Sequence, residues 1–417
     1  MTNPAQLITD MGNKARAAFL TLSGVTDAQK STALISAARH LRAGAATILE
    51  ANGRDMESAR DRDLSDAMLD RLMIDESRLE AIAAAVENVA ELPDPVGQII
   101  DRSERPNGLM MERVRVPLGV IGIIYESRPN VTADAAALTL RSGNAVILRG
   151  GSEAIESNRA IFEAMTAGLA EEGLPENAIQ LVQTTDRAAV GAMLKASGLI
   201  DIIIPRGGKS LVKRVQDEAR VPVLAHLDGI CHTYIGKDAD QDKAIAIAVN
   251  AKMRRTGVCG AMETLLIDQD YPAPGPLLRA LIDAGCEVRG DDMIMELDPR
   301  TVPADADDWN TEYLAPIVAA KMVRDMEEAV AHIAEHGSHH TDVIVTEDSA
   351  IADEFIRRAD SAIVMHNASS QFADGGEFGL GAEIGISTGR LHARGPVALE
   401  GLTTYKWVVR GTGQVRP

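Results

Sequence analysis

The stretch that decides the fold is Val120–Tyr125, whose sequence is VIGIIY. Its apolar and largely β-branched content predicts a strand that is buried on both faces. A segment of helix length, Val131–Arg141, follows this strand, and a second apolar run, Ala145–Arg149, follows the helix. Strand, helix and strand in this order predict a βαβ unit, in which the two strands run parallel in one sheet.

The same alternation continues towards the C-terminus in two series. The first adds predicted strands at Ile179–Gln183, Ile200–Ile204 and Val221–Leu224 and predicted helices at Ser157–Ala170, Ala188–Leu194 and Ser210–Glu218. After a break at 238–242, the second has predicted strands at Thr264–Ile267 and Asp342–Thr346 and predicted helices at Ala244–Arg254, Pro276–Ala284 and Ala350–Arg358. The fold class is therefore α/β, with two parallel-sheet units.

The N-terminal hundred residues and the two flanking segments have other patterns. Apolar residues at helical spacing between Leu34 and Ile48 predict a helix with one buried face, and the region as a whole is read as helices. Between 101 and 116, the turn residues Pro106-Asn107-Gly108 separate two short extended segments, which predicts a β-hairpin arm. The chain is Gly-rich from Gly375 to Gly389 and then extended from Leu402 to Val409.

Length and charge narrow the class of protein. A chain of 417 residues is long enough for two or three domains. The net charge is −19 and only 3% of residues are aromatic, so a nucleic-acid-binding surface is disfavoured. Any anionic ligand must therefore meet positive charge gathered locally. The N-terminus has no signal-peptide pattern, and no apolar run approaches the roughly 20 residues that span a bilayer.

The three cysteines, Cys231, Cys259 and Cys286, have no CxxC spacing, so we expect neither a disulfide framework nor a zinc site. Cys259 stands out because Gly257 and Gly260 lie beside it and Lys252, Arg254 and Arg255 precede it. Glycines expose a small nucleophile, and nearby cations lower the pKa of a thiol. A buried structural cysteine fits these local residues about as well. For Cys231 and Cys286 the structural interpretation is the better one.

Two further segments have the chemistry of anion sites. Ile204–Ser210 contains Gly207, Gly208 and Lys209 between a predicted strand and a predicted helix, where backbone N–H groups can bind an anion. Glu126–Asn130 follows the strand Val120–Tyr125, at the sheet edge where parallel strands end and ligands bind. A plain tight turn explains the first segment equally well, and a capped, solvated turn is the simpler explanation of the second.

A histidine cluster at His332, His336, His339 and His340 includes an i, i+4 pair that would suit a metal on a helix face. The HExxH pattern is absent, so a solvated or substrate-facing cluster is the better interpretation.

Taken together, several motifs in order resemble the gamma-glutamyl phosphate reductase family of the aldehyde dehydrogenase superfamily. The motifs that carry the resemblance are Tyr125–Thr132, Gly143–Gly151, Gly229–His232, Arg254–Cys259, Gly337–Asp342 and Gly389–Pro396. They span nearly the whole chain. The resemblance favours Cys259 as the nucleophile over a structural cysteine.

The resemblance implies an aldehyde dehydrogenase-like fold with a Rossmann-like cofactor domain. It implies an NADP-binding domain at 1–98 and 119–226, a catalytic domain at 227–375, an oligomerisation arm at 99–118 and 396–417, and a Gly-rich connection at 376–395. The arm would make a homo-oligomer, a dimer or tetramer. A cytoplasmic location and functional coupling to glutamate 5-kinase are further expectations.

The resemblance also implies the reaction and the roles of single residues. The expected reaction is the reduction of L-glutamyl 5-phosphate by NADPH to L-glutamate 5-semialdehyde, through a thioester on Cys259, in the second step of proline synthesis. The residues implied besides Cys259 are Asn130 for the oxyanion, Arg128 and His340 for the substrate, and Arg149, Gly207, Gly208, Ser210 and Glu312 for the cofactor. No metal is expected.

One segment departs from the wider superfamily. Hydrolytic members have a Glu-Leu-Gly-Gly segment whose glutamate activates water, whereas this chain has His226-Leu227-Asp228-Gly229. The missing carboxylate counts against a hydrolytic aldehyde dehydrogenase, which is the nearest rival. It leaves His226 and Asp228 without a role. A non-catalytic nucleotide-binding protein is a rival of another class, and it would require an inert Cys259.

Overall fold

The computed structural model describes residues 3–416, which divide into two compact units. Unit 1 comprises the described residues of Met1–Ala225, Leu380–Gly385 and Val397–Pro417. Unit 2 comprises His226–Gly379 and Ile386–Pro396. Each unit has its own sheet and its own buried apolar cluster.

Unit 1 contains nine α-helices and seven strands among its described residues. The helices are α1 Pro4–Leu22, α2 Asp27–Ala43, α3 Ala45–Asp61, α4 Asp66–Leu72, α5 Glu76–Glu91, α6 Asn130–Arg141, α7 Ile155–Glu171, α8 Ala188–Leu194 and α9 Lys209–Glu218. The strands are β1 Ile99–Glu104, β2 Met110–Pro117, β3 Val120–Tyr125, β4 Ala145–Arg149, β5 Ile179–Leu181, β6 Ile202–Arg206 and β16 Thr403–Arg410.

Four of these strands form a parallel sheet in the order β5-β4-β3-β6, and β3 is buried along its whole length. Gly122 in the middle of β3 is required by packing, because a Cβ there would lie 2.5 Å from the Cδ1 atom of Ile203 on β6. The apolar run Val120–Tyr125 is therefore a central strand, as predicted. The carboxyl ends of β3, β4 and β6 lie at one edge of the sheet.

The predicted strand Val221–Leu224 is wrong. The segment makes only an isolated parallel bridge between Val223 and Ile203. Pro222 still accepts a hydrogen bond from the Ile203 N–H at 2.8 Å, but proline has no N–H of its own to donate. A ladder therefore does not extend from this bridge, and the sheet has four strands where the sequence predicted five.

The predicted hairpin is confirmed. Strands β1 and β2 pair antiparallel around the turn at Pro106–Gly108, and β16 pairs antiparallel with the other edge of β2. Gly108 has a φ of +81°, which glycine adopts without the Cβ clash of other residues. Every residue of β1 is exposed, so this three-stranded sheet presents an open edge within the described residues of this chain.

Unit 2 contains five helices and nine strands. The helices are α10 Gln241–Met253, α11 Pro274–Asp283, α12 Asp292–Met295, α13 Met326–His336 and α14 Ser349–Arg358. The strands are β7 Cys231–Ile235, β8 Met262–Asp268, β9 Glu287–Gly290, β10 Val302–Pro303, β11 Ile317–Val323, β12 Thr341–Val345, β13 Ile363–His366, β14 Ile386–Ser387 and β15 Gly395–Pro396. Seven of the strands form a parallel sheet in the order β10-β9-β11-β8-β7-β12-β13, while β14 and β15 pair antiparallel.

The observed division differs in detail from the expected domains. The main boundary lies between Ala225 and His226, one residue before the expected one. The Gly-rich segment expected as a connection is shared, since Leu380–Gly385 belongs to unit 1 and Ile386–Pro396 to unit 2. Within residues 3–416, every helix is too short or too polar to cross a lipid bilayer.

Candidate active site

Cys259 lies on the loop between α10 and β8 of unit 2, and its side chain is half-buried. The loop is closely packed on one side. A Cβ added to Gly229 would lie 2.2 Å from the Cys259 carbonyl oxygen and 2.7 Å from its Cα. Gly229 therefore lets the segment before β7 contact the backbone that holds the thiol.

Glu312 is held beside the same segment. The Gly229 N–H donates a hydrogen bond to its Oε1 atom at 3.0 Å. The Cα atom of Gly229 thus packs against the backbone of Cys259, and its N–H group donates a hydrogen bond to the Glu312 carboxylate. The structure brings Glu312, expected to contact the cofactor, close to Cys259 through this one glycine.

Two histidines lie next to the thiol. A ring nitrogen of His226, a ring nitrogen of His340 and the Cys259 Sγ atom all lie within 4.8 Å of one another. The His226 Nδ1 atom is 2.8 Å from the Ile386 carbonyl oxygen. A carbonyl can only accept, so Nδ1 carries the proton and Nε2 carries the lone pair when the ring is neutral.

His340 is fully buried at the start of β12. Its Nδ1 atom lies 2.8 Å from the Thr341 Oγ1 atom, while its Nε2 atom has no hydrogen-bond partner among the described residues. Burial, reinforced by the neighbouring His226, lowers the pKa of His340 to about 3. His340 is therefore neutral near pH 7. Its substrate-binding role stays a prediction.

Cys259, His226 and His340 are a donor set that zinc or another soft metal ion can use. The sequence predicted no metal site, and this remains a prediction, since nothing in the chemistry below requires one.

Lys252, the nearest buried cation in sequence, has a carboxylate partner. Its Nζ atom makes an ion pair at 2.6 Å with Glu263, and both side chains are fully buried. Burial raises the pKa of Glu263 to about 7, against the opposing effect of Lys252. Lys252 is thus paired with Glu263, and its expected effect on the Cys259 thiol stays a prediction.

The surroundings of the other two thiols, Cys231 and Cys286, make them unreactive. Burial, with Asp342 as the next cause, raises the pKa of Cys231 well above its usual value, and its Sγ atom lies 3.1 Å from the Cys259 carbonyl oxygen. Burial raises the pKa of Cys286 to about 12. Both thiols therefore stay protonated and unreactive near neutral pH.

The expected solvated histidine cluster is partly wrong. His332 is buried on α13 and its ring contacts those of Trp309, His232 and His336. Burial is the main cause that lowers the pKa of His332 to about 2. The rings of the i, i+4 pair His332 and His336 have centroids 4.5 Å apart, and His336 stays partly exposed.

In unit 1, Arg128 and Asn130 follow the carboxyl end of β3. The turn that carries them is strained at Ser127, which has a φ of +43° and donates from its N–H and hydroxyl to Glu153. Asn130 begins α6, and its Nδ2 atom donates to the Asp134 Oδ2 atom at 2.9 Å. The oxyanion role of Asn130 and the phosphate role of Arg128 stay predictions.

The other predicted cofactor residues lie at the same sheet edge. Gly207 and Gly208 precede α9, whose first turn contains Ser210 and has no side-chain cap. The Gly208 N–H donates to the Glu126 carboxylate at 3.0 Å, so this helix end already receives an anion.

At the neighbouring strand end, Arg149 donates to the Gly150 carbonyl oxygen at 2.9 Å, and its buried Nε atom has no partner among the described residues. Glycines at an uncapped helix end and a guanidinium with an unused donor fit a phosphate-bearing nucleotide.

The structure thus assembles two partial sites, one in each unit. Unit 2 brings Cys259, Glu312 and His340 together, and unit 1 brings Arg128, Asn130, Arg149, Gly207, Gly208 and Ser210 to one sheet edge. His226, which lies beside Cys259, is one of the two residues that the sequence analysis left without a role. The segment that contains it, His226–Gly229, differs from the one that the resemblance implies for hydrolytic superfamily members.

Comparisons with known proteins agree with this architecture. The model of the aldehyde dehydrogenase family matches residues 4–284. Gamma-glutamyl phosphate reductase of Rhizorhabdus wittichii is 67% identical over 411 residues, which cover 99% of this chain and 96% of that protein. The protein of the same name from Sphingopyxis alaskensis is 67% identical over 413 residues, with coverage of 99% and 96%.

A solved structure extends the similarity to three dimensions. The crystal structure of gamma-glutamyl phosphate reductase from Thermotoga maritima has a TM-score of 0.96 and 43% sequence identity, and the match covers 98% of this chain and 100% of that chain. With its parallel sheets, its loop cysteine and these full-length relatives, the chain belongs to the gamma-glutamyl phosphate reductase family within the aldehyde dehydrogenase family.

Proposed function

We propose that the chain reduces L-glutamyl 5-phosphate to L-glutamate 5-semialdehyde and phosphate with NADPH, in the second step of proline synthesis from glutamate. The observation that carries the proposal is the half-buried Cys259 on a glycine-flanked loop with His226 beside it, in a chain whose full-length relatives bear the name of this reductase.

Cys259 is the proposed nucleophile. His226 accepts the thiol proton at Nε2, since its Nδ1 atom is engaged by the Ile386 carbonyl. The thiolate then attacks the acyl carbon, the C–S bond forms, and the C–O bond to phosphate breaks with its electron pair leaving on phosphate. The product of this half-reaction is a thioester on Cys259.

NADPH, when bound, supplies a hydride that reduces the thioester carbon by two electrons. The resulting oxyanion is stabilised by the Asn130 carboxamide and the Cys259 backbone N–H, as the family resemblance implies. Collapse of this oxyanion breaks the C–S bond, releases the aldehyde and returns the thiolate of Cys259. Arg128 binds the phosphate group through charge-assisted hydrogen bonds.

The proposed cofactor site uses the edge of the sheet in unit 1. The N-terminus of α9 with Gly207, Gly208 and Ser210 would receive the pyrophosphate, where the Glu126 carboxylate now accepts from the Gly208 N–H. Arg149 would contact the adenosine ribose, and Glu312 would contact the nicotinamide ribose. These roles follow the resemblance and are supported by the donors described above.

We further propose that β1, β2 and β16 form the oligomerisation arm of a dimer or tetramer. The support is the open edge of β1 and the exposed side chains of Tyr405 and Trp407 on β16. A cytoplasmic location and coupling to a glutamate 5-kinase are parts of the same proposal.

The rival function is hydrolytic, and the structure gives it one argument. His226 lies beside Cys259, in the segment where the resemblance implies a glutamate for hydrolytic relatives, and an imidazole can activate water as well as accept a thiol proton. The absent carboxylate alone therefore does not exclude hydrolysis of the thioester.

Phosphate dependence separates the two functions. The reaction is run in reverse, from L-glutamate 5-semialdehyde and NADP, with phosphate varied down to zero and NADPH followed by absorbance. We expect a burst of about one equivalent per Cys259 and then very slow NADPH formation without phosphate, because His226 already holds the proton taken from the thiol and no second base is proposed for water; a positioned base typically contributes about 10²–10⁴-fold to attack by water. Steady turnover to glutamate without phosphate would overturn the proposal in favour of the hydrolytic rival.

The variant Cys259→Ala should show neither burst nor turnover, because alanine cannot accept the acyl group. Its thermal unfolding and NADPH binding should match the wild type. Turnover at the wild-type rate would mean that Cys259 is not the nucleophile.

A further inference from the structure

A cavity of about 270 Å³ in unit 1 begins at Asn130 and has no role in the chemistry above. It lies between α5, the segment that precedes α5, and the first turns of α6. Its volume is below the roughly 300–1,000 Å³ of sites for drug-sized ligands, so it suits a ligand of amino-acid size.

One wall of the cavity is acidic. Asp134 lines it one turn after Asn130 on α6, and its Oδ2 atom accepts the 2.9 Å hydrogen bond from the Asn130 carboxamide. An ionised carboxylate has about four acceptor positions, so this one bond leaves acceptor capacity on Asp134. Asp134 is half-buried, which strengthens its attraction for a cation that enters the cavity.

Another wall is basic. Arg71 near the end of α4 and Arg78 in the first turns of α5 both line the cavity. Arg78 is held in place, because its Nη1 atom donates to the Met73 carbonyl at 3.1 Å and its Nη2 atom to Asp70 at 2.6 Å. A guanidinium has five N–H donors, so Arg78 retains donors for a further acceptor.

The surface between the charged walls is apolar. Ile82 and Ala85 on α5 and Pro129 before α6 line the same cavity. A ligand that carries an ammonium, a carboxylate and a short methylene chain matches all three parts.

We infer that this cavity binds the α-amino-acid end of the substrate, with the α-ammonium on Asp134 and the α-carboxylate on Arg71 and Arg78. The inference rests on the proposed function, in which Asn130 contacts the acyl oxygen. A glutamyl group has only two methylenes between its acyl carbon and its α-carbon, so its amino-acid end must lie close to Asn130. The cavity supplies both charges at that place.

The test measures binding and does not require turnover. Isothermal titration with the full chain uses three probes: L-glutamate, glutarate, which lacks the ammonium, and 4-aminobutanoate, which lacks the α-carboxylate. The wild type should bind L-glutamate about ten- to a hundredfold more tightly than either analogue, because hydrogen bonds between charged groups are worth that factor.

Each variant should remove one preference only. The Asp134→Asn variant should bind L-glutamate and glutarate about equally. It should still bind L-glutamate more tightly than 4-aminobutanoate. Arg71→Gln and Arg78→Lys should weaken the preference for L-glutamate over 4-aminobutanoate. Their preference for L-glutamate over glutarate should not change. Glu76→Gln, an exposed carboxylate on the first turn of α5 outside the cavity, is the matched control and should change neither.

Equal binding of the three probes by the wild type, or an unchanged glutarate preference in a folded Asp134→Asn variant, would overturn the inference. The burst experiment tests the reaction independently. If the chain shows the burst but binds the three probes equally, only the inferred amino-acid pocket is refuted. If it prefers L-glutamate but shows no burst, the proposed reaction is refuted and the inferred pocket stands.

Discussion

Gly229→Ala is the sharpest test of how the fold positions Cys259, the proposed nucleophile. A methyl group at this position would lie 2.2 Å from the carbonyl oxygen of Cys259, 2.7 Å from its Cα and 2.8 Å from its carbonyl carbon. Ordinary contacts are about 3.5–4.0 Å, so the backbone of Cys259 must shift by about 1 Å. All three atoms belong to the backbone, and rotation of a side chain therefore cannot relieve the contact.

A shift of that size should lower the rate of the catalysed reaction. Misplacement of a reacting group by about 1 Å can cost about 10²-fold in rate. We therefore expect Gly229→Ala to lower kcat by about that factor. The measurement is the initial rate of NADPH formation at saturating semialdehyde, NADP and phosphate, with the rate of Cys259 alkylation by iodoacetamide as a second readout.

Gly257→Ala is the matched control, because it changes another glycine of the same loop where a Cβ would meet nothing within 4 Å. It should retain wild-type kcat. Thermal unfolding reports whether Gly229→Ala is folded. A folded Gly229→Ala with wild-type kcat and alkylation rate would refute the reasoning that this contact positions the thiol.

Other expectations follow from the same geometry. Cys286→Ala should retain most of the wild-type kcat, because burial raises the pKa of this thiol to about 12, and loss of turnover there would contradict its structural role. Arg128→Ala should raise the KM for phosphate in the reverse reaction about tenfold or more, since a hydrogen bond to a charged group is worth about 1.5–3 kcal/mol. The affinity for NADP should hardly change. An unchanged KM for phosphate would mean that Arg128 has a structural role only. His332 has a pKa of about 2 in the folded chain against about 6.5 when unfolded, so below pH 6.5 the unfolded state binds the extra proton and stability falls as the pH drops from 6.5 towards 2. His332→Phe should therefore flatten the acid side of the curve of unfolding free energy against pH, and an identical curve would show that His332 does not contribute to acid sensitivity.

The sequence determined the sheet of unit 1 because its strands are buried on both faces. Ala145–Arg149 was predicted with its observed bounds, and the helix Ala188–Leu194 likewise. Continuous apolar runs of this length between amphipathic helices have few other interpretations. The strand predicted at Val221–Leu224 failed because pairing depends on a partner's hydrogen-bond donors, and Pro222 lacks one.

The candidate site was harder to predict, because its residues are distant in sequence. His226 and Cys259 are separated by 33 positions, and only the pairing of β7 with β8 and β12 places both of them beside His340. The charge on Lys252 could not be assigned from sequence either, since its partner Glu263 belongs to the following strand.

The sequence by itself determined the α/β class and the hairpin, because these depend on local periodicity and turn residues, and it predicted Cys259 as the nucleophile from a set of motifs in order. The tertiary structure alone decided which imidazole lies beside the thiol, which cations are already paired, and that Asp134, Arg71 and Arg78 line one cavity. The physical reason is that the protonation of a thiol or histidine, like the charge of a cavity, depends on burial and on neighbours within a few ångströms. Those neighbours come from separate strands and helices, and packing brings them together.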